Sequence, residues 1–163
     1  MRRLAFLAPL AFAAGLAAPA LAQEPRVTVT VGGDLIEEVE ELGQRDVDLQ
    51  LERLQTVVTR ELDAHGVLGD AQVNLVLTDL KPNRPTFQQA ADRPGLSVID
   101  SLSIGGATIE GEVVMADGRR LPVHYARYST SLADVRGFGT WQDADRAFNR
   151  LAANLASGRL VVR

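Results

Sequence analysis

The stretch ATIEGEVVMADGRRLPVHYARYST, residues 107–130, decides the fold. Two apolar-rich runs, 109–115 and 121–125, flank Ala116-Asp117-Gly118, and Asp-Gly between such runs is the strongest short-range hairpin signal. The turn type follows from which residues must share a face. A two-residue Asp117-Gly118 loop pairs Val113 with Pro122 and Gly111 with His124, leaving no clean apolar face. A three-residue loop, with Gly118 left-handed as a bulge, shifts the register by one. Ile109, Gly111, Val113 and Met115 then share a face with Leu121, Val123 and Tyr125. A slip of one residue would expose that whole face, so the three-residue loop is expected. Glu110, Glu112, Arg120 and His124 fall on the other, solvated face. Pro122 lacks an N–H, so its strand lies at an edge or turns that position outward.

Working outward, the first 22 residues read as a targeting segment. Arg2 and Arg3 precede an apolar run broken by Pro9 and Gly15, and Ala20-Leu21-Ala22 gives the small-x-small pattern before a cleavage point. The run is shorter than the roughly 20 residues of a membrane span. Cleavage after Ala22 is predicted, with Gln23 first in the mature chain. Ala5 stands where a twin-arginine signal usually carries Phe, which favours general secretion.

The remaining 141 residues (163 less 22) are enough for one domain, 23–163, with a real core. Loss of Arg2 and Arg3 leaves 15 basic against 21 acidic residues, a net charge of −6. That balance argues against nucleic acid or an anionic membrane as partner, since both require a basic face. With no cysteine there is no disulfide and no lipid-acceptor thiol. The expected location is periplasmic, or the medium.

Val27-Thr28-Val29-Thr30-Val31 alternates with β-branched residues and predicts a strand, ended by Gly32-Gly33. Asp34 is a candidate cap for a short helix over 35–42, with Gly43 past its end. Its four glutamates read as a solvated face. A longer helix is expected over 46–65, capped by Asp46, with Val47, Leu51, Leu54, Val58 and Leu62 on one stripe and Gly66 as terminator. Residues 73–80 form a second strand. A helix between two strands is the pattern of a crossover, which makes the first two strands candidates for parallel pairing. Two prolines in Lys81-Pro82-Asn83-Arg84-Pro85-Thr86 favour irregular, extended backbone. Residues 87–93 offer a turn or two of helix before Pro94-Gly95, and 96–104 is expected to resume as a strand. After the hairpin, Thr140 is expected to cap a final helix over 140–157, with Asp143 completing a box. Its stripe is Trp141, Ala144, Phe148, Leu151, Ala152 and Leu155. Residues 160–162 can add a terminal strand.

Catalytic constellations are sparse. His124 lies near Ser129, Ser131 and Asp134, but no Gly-x-Ser-x-Gly elbow accompanies them. Two separated histidines and no thiol make a poor transition-metal set, and no cofactor motif is present. Paired carboxylates remain open as a site for glycan chemistry. The most suggestive surface is the 81–95 segment, where Lys81, Arg84 and Arg93 place three cations on a proline-stiffened loop in an otherwise acidic protein. Held cations of this kind suit an acidic peptide or an anionic glycan, and they equally suit pairing with the protein's own acids.

The runs KPNRPT (81–86), DRPGLS (92–97), IGGA (104–107, with Gly111 following) and TWQDADRAF (140–148) resemble a group of uncharacterised exported bacterial proteins. The resemblance implies export and a single domain, and implies no activity.

The fold expected is α+β, an antiparallel-dominated sheet of four or five strands with the 46–65 and 140–157 helices on one face. The function expected is non-catalytic binding of an envelope protein or ligand through Lys81, Arg84 and Arg93. The alternatives are a carboxylate enzyme acting on glycans or cell-wall fragments, and an exported enzyme inhibitor.

Overall fold

The computed structural model describes residues 26–65, 67–135, 137 and 139–162. The expected signal segment and Gly66 lie outside the described residues. The elements run β1 (Val27–Val31), α1 (Leu35–Leu42), α2 (Gln44–His65), β2 (Gln72–Lys81), α3 (Phe87–Asp92), β3 (Gly106–Val114), β4 (Arg120–Tyr128), a 3-10 turn (Leu132–Asp134), α4 (Gln142–Ala156) and β5 (Val161–Val162). They form the expected α+β fold. One mixed sheet has the order β1-β2-β3-β4-β5, with β1–β2 and β4–β5 parallel and the two central pairings antiparallel.

The hairpin takes the three-residue loop. Val113 stands opposite Leu121, Gly111 opposite Val123 and Ile109 opposite Tyr125. Gly118 has φ +84° and donates its N–H to Met115 O at 2.9 Å, while Met115 N–H donates to Arg119 O at 2.9 Å. The apolar face is buried at Ile109, Val113, Val123 and Tyr125, whereas Glu110, Arg120 and His124 are exposed. Pro122 sits where its missing donor costs nothing. His124 N–H points away from β3 to Leu160 O at 3.2 Å, and the ring nitrogen two residues earlier points the same way, where β5 pairs only His124 and Tyr125. Gly111 is required by close approach: a Cβ there would lie 2.1 Å from Asn74 O, at φ +148°.

A bulge in β2 prepares the surface described below. The register shifts between Leu77 and Asp79, so Leu77 and Leu80 both face the core, opposite Ile109 and Ala107. Asp79 and Lys81 thereby turn to the opposite face. The core is one contiguous cluster in which α2 packs on β1 and on α4, and α4 packs on β3 and β4. Phe148 of α4 is fully buried there, which contributes roughly 1.5–3 kcal/mol. Val29, Leu51, Leu121 and Trp141 pack against the cluster but are only half-buried.

Three boundary expectations are corrected. α2 starts at Gln44, so Asp46 lies in its first turn and is no N-cap; Gly43, at φ +93°, makes the break from α1 and accepts Val47 N–H. Asp46 Oδ1 instead accepts Trp141 Nε1–H at 3.3 Å. Residues 96–104 form no strand. Ser97 Oγ accepts the N–H groups of Ile99 and Asp100, and Ser101 N–H donates to Ser97 O, so side chains and local turns satisfy that backbone in place of a ladder. Thr140 does not cap α4, whose N-cap position is Trp141 with no side-chain cap bond. The missing cap comes from another part of the chain.

Candidate functional site

That cap is Asn83, in the segment following β2. Its Oδ1 accepts Asp143 N–H at 2.8 Å, and its Nδ2 donates to Asp143 Oδ2 at 2.6 Å and to Ser103 O at 3.3 Å. Its own N–H donates to Thr140 O at 2.7 Å, and its carbonyl accepts Ser103 N–H at 2.9 Å. One residue, 1% exposed, thus joins both ends of the 82–104 segment to the start of α4. Gly105 leaves room for it: a Cβ there would lie 2.6 Å from the Asn83 carboxamide. Asp143 is itself buried. Burial raises its pKa, but hydrogen bonds from Asn83, Ser129 and Arg146 outweigh that, so its carboxyl is held below the ordinary value.

Further along, Thr86 and Gln89 form a reciprocal capping box that starts α3. Gln89 Nε2 donates to Glu41 Oε1 at 3.1 Å, and Arg93 Nη2 meets Glu41 Oε2 at 2.9 Å, which ties α3 to α1.

The three cations singled out by sequence go to different partners. Lys81 lies 3.5 Å from Asp79 and 5.7 Å from the Tyr128 ring centroid. Arg84 is buried and donates through Nη1 to Ile99 O. Arg93 pairs with Glu41. Lys81 and Arg93 keep about half of their side chains in water, at 54% and 59%.

What this anchored segment presents outward is apolar. Phe87 is 81% exposed and Ile99 72%, and Leu96, Leu102 and Ile104 are each exposed as well. Beside them a groove of about 300 Å³ is lined by Pro82, Pro85, Leu96, Leu102 and Ile104, with Lys81 contributing a charge. A groove lined by exposed apolar side chains is the kind of surface that marks interaction sites. The sequence pointed to the segment through its cations and prolines. The signal it missed was the apolar alternation of 96–104, which reads as a strand until the turn at Ser97 is known.

On the sheet face away from α2 and α4, Tyr128 OH donates to Asp79 Oδ2 at 2.7 Å and lies 2.6 Å from Thr108 Oγ1. Desolvation, with the hydrogen bond to Asp79, drives the Tyr128 pKa well upward. Burial and then the charge of Asp79 raise Glu38 above the ordinary carboxyl value. The seryl and histidyl candidates separate: Ser129 Oγ donates to Asp143, Thr130 and Ser131 to Asp134, and His124 Nδ1 lies 3.4 Å from Glu110. No group of three or more potential metal ligands comes together among the described residues, and no described helix is long and apolar enough to cross a membrane.

A second surface escaped the sequence reading altogether. Arg127 on β4, Arg146 and Arg150 one turn apart on α4, and Arg159 beyond it line adjoining depressions along the β4–α4 seam. Comparison with known families, curated proteins and solved structures finds no match to the chain.

Proposed function

We propose that this chain is an exported, non-catalytic binding protein whose 81–104 segment docks a polypeptide of the cell envelope. The observation that carries the reading is an apolar crest on a fixed base. Phe87 and Ile99 are mostly in water, while Asn83 and Arg84 of the same segment are buried and Arg84 holds the Ile99 carbonyl. Ordering such a crest in advance removes entropy that a partner would otherwise lose on binding. The occupant is an extended segment that places apolar side chains in the groove beside the prolines and an acidic one against Lys81. Export rests on the N-terminal signal pattern and on the resemblance to exported bacterial proteins.

The test is a photoreactive residue at position 87 or 99 in living cells, with the captured protein identified. One dominant envelope protein is expected, and its capture should be lost when the other apolar position becomes Asp in a chain that still folds. The mature chain should begin at Gln23 in a periplasmic or culture fraction. Retention in the cytoplasm, or capture indifferent to Phe87→Asp and Ile99→Asp, would overturn the reading.

A carboxylate enzyme is the second reading, favoured by one observation, the raised pKa of Glu38 beside Asp79. Turnover of cell-wall glycan fragments that disappears in Glu38→Gln would support it. Absence of turnover in the parent protein removes it.

A further inference from the structure

The arginine seam has a different character from the loop. Three depressions of about 330, 460 and 360 Å³ follow one another, and Arg127 lines all three. Arg146 is shared by the first two and Arg150 by the last two, so they form one elongated cleft. Arg146 is held by Asp143 at 2.7 Å. Arg127, Arg150 and Arg159 form no salt bridge among the described residues. No carboxylate of the described residues lines the second or third depression, in a chain with 21 acids against 17 bases. Guanidinium groups gathered without counter-charge repel one another, a cost that a bound anion reverses.

We propose that this cleft binds an acidic peptide segment, with Arg127, Arg150 and Arg159 receiving its carboxylates. Planar guanidinium forks match carboxylate geometry. Three adjoining depressions joined by shared arginines suit a linear chain rather than a single small anion. Its first depression separates peptide from phosphate polymers: Asp134 and Asp143 line it beside Ser129 and Thr130. Carboxylates there repel a dense run of phosphates.

The test is fluorescence anisotropy of the full mature chain with a labelled hexaglutamate peptide, and with hexaglutamine as its uncharged counterpart. Hexaglutamate should bind, more weakly as salt rises, and hexaglutamine should not. Arg127→Gln and Arg150→Gln should each weaken binding by about tenfold, the scale of a lost charge-assisted hydrogen bond. Arg150→Lys should recover only part of it, because the fork is lost. Arg45→Gln, on α2 and outside the cleft, should bind as the parent does. Equal binding of the two peptides, no binding of either, indifference to the cleft substitutions, or preferential capture of tripolyphosphate or RNA would each overturn the proposal. Phe87→Asp should leave hexaglutamate binding intact, so failure here is distinct from failure of the loop reading.

Discussion

The 81–104 segment and the β4–α4 cleft both carry basic residues, and the two regions use them in opposite ways. In the segment, Lys81 and Arg93 meet Asp79 and Glu41, and Arg84 is folded inward onto a backbone carbonyl. In the cleft, Arg127, Arg150 and Arg159 meet no acid among the described residues. Cations close in sequence and stiffened by proline each meet a partner within the fold, whereas cations dispersed between residues 127 and 159 converge. Density along the chain says how many charges a segment has. What stands opposite each one is decided by packing.

If the segment is held by its buried residues, cutting its main anchor should produce the largest effect. Asn83→Ala removes three side-chain hydrogen bonds, one of them the cap of α4, and leaves the buried Asp143 short of a donor. A loss of about 2–4 kcal/mol is expected by the scale of cap and buried-bond deletions. Urea unfolding should show a lower midpoint with an unchanged slope, and residues 84–104 should become sensitive to protease. A midpoint within error of the parent would mean that the segment is held by something other than Asn83.

The same network makes stability depend on pH. The folded pKa of Asp143 lies below its ordinary value of 3.8, so the folded state favours the ionised carboxylate. Its contribution is therefore complete above the unfolded-chain value and is lost as pH falls through the lower, folded one. Unfolding midpoints measured from neutral pH down to the acid range should drop below about pH 4, the ordinary carboxyl range, and Asp143→Asn should flatten that part of the curve. No change of slope in the variant would remove Asp143 from the account.

Arg84 and Arg93 sharpen the comparison within the segment itself. Arg84→Ala should cost about 1–2 kcal/mol, through lost packing of the buried stem and a lost bond to Ile99 O. Arg93→Gln breaks an exposed pair and should cost no more than about 0.5 kcal/mol. Chemical unfolding of both variants checks the order. If Arg93 proves the more costly, the ion pair to Glu41 and not the buried base fixes the loop.

Much of the framework was legible because local chemistry and tertiary need agreed. The alternation of Val27 to Val31, the stripe from Val47 to Leu62 and the Asp-Gly turn each admit one packing that buries their apolar faces. Legibility ended where distant parts of the chain meet. Thr140 has the right chemistry to cap α4, yet Asn83, 60 residues before Asp143, takes the role because β2 delivers it there. Leu96, Val98 and Ile104 look strand-like, but Ser97 and Asp100 close a local turn whose side chains satisfy the backbone first. The cleft was least legible of all. Its arginines share no motif, and only the packing of α4 on β4 sets Arg150 beside Arg127.

That convergence predicts the smallest effect on stability and the most informative one. An arginine that supports its own fold is missed when it is removed; one that meets no acid is missed less. Arg150→Gln and Arg159→Gln should change unfolding free energy by no more than about 0.5 kcal/mol, with any shift toward greater stability because like-charge repulsion is relieved. The gain should shrink in high salt, where screening has already weakened the repulsion. Urea unfolding at two salt concentrations reads both effects together. A clear loss of stability in either variant, independent of salt, would show that these side chains are packed into the fold as Arg84 is, and the contrast between the two regions would fall with it.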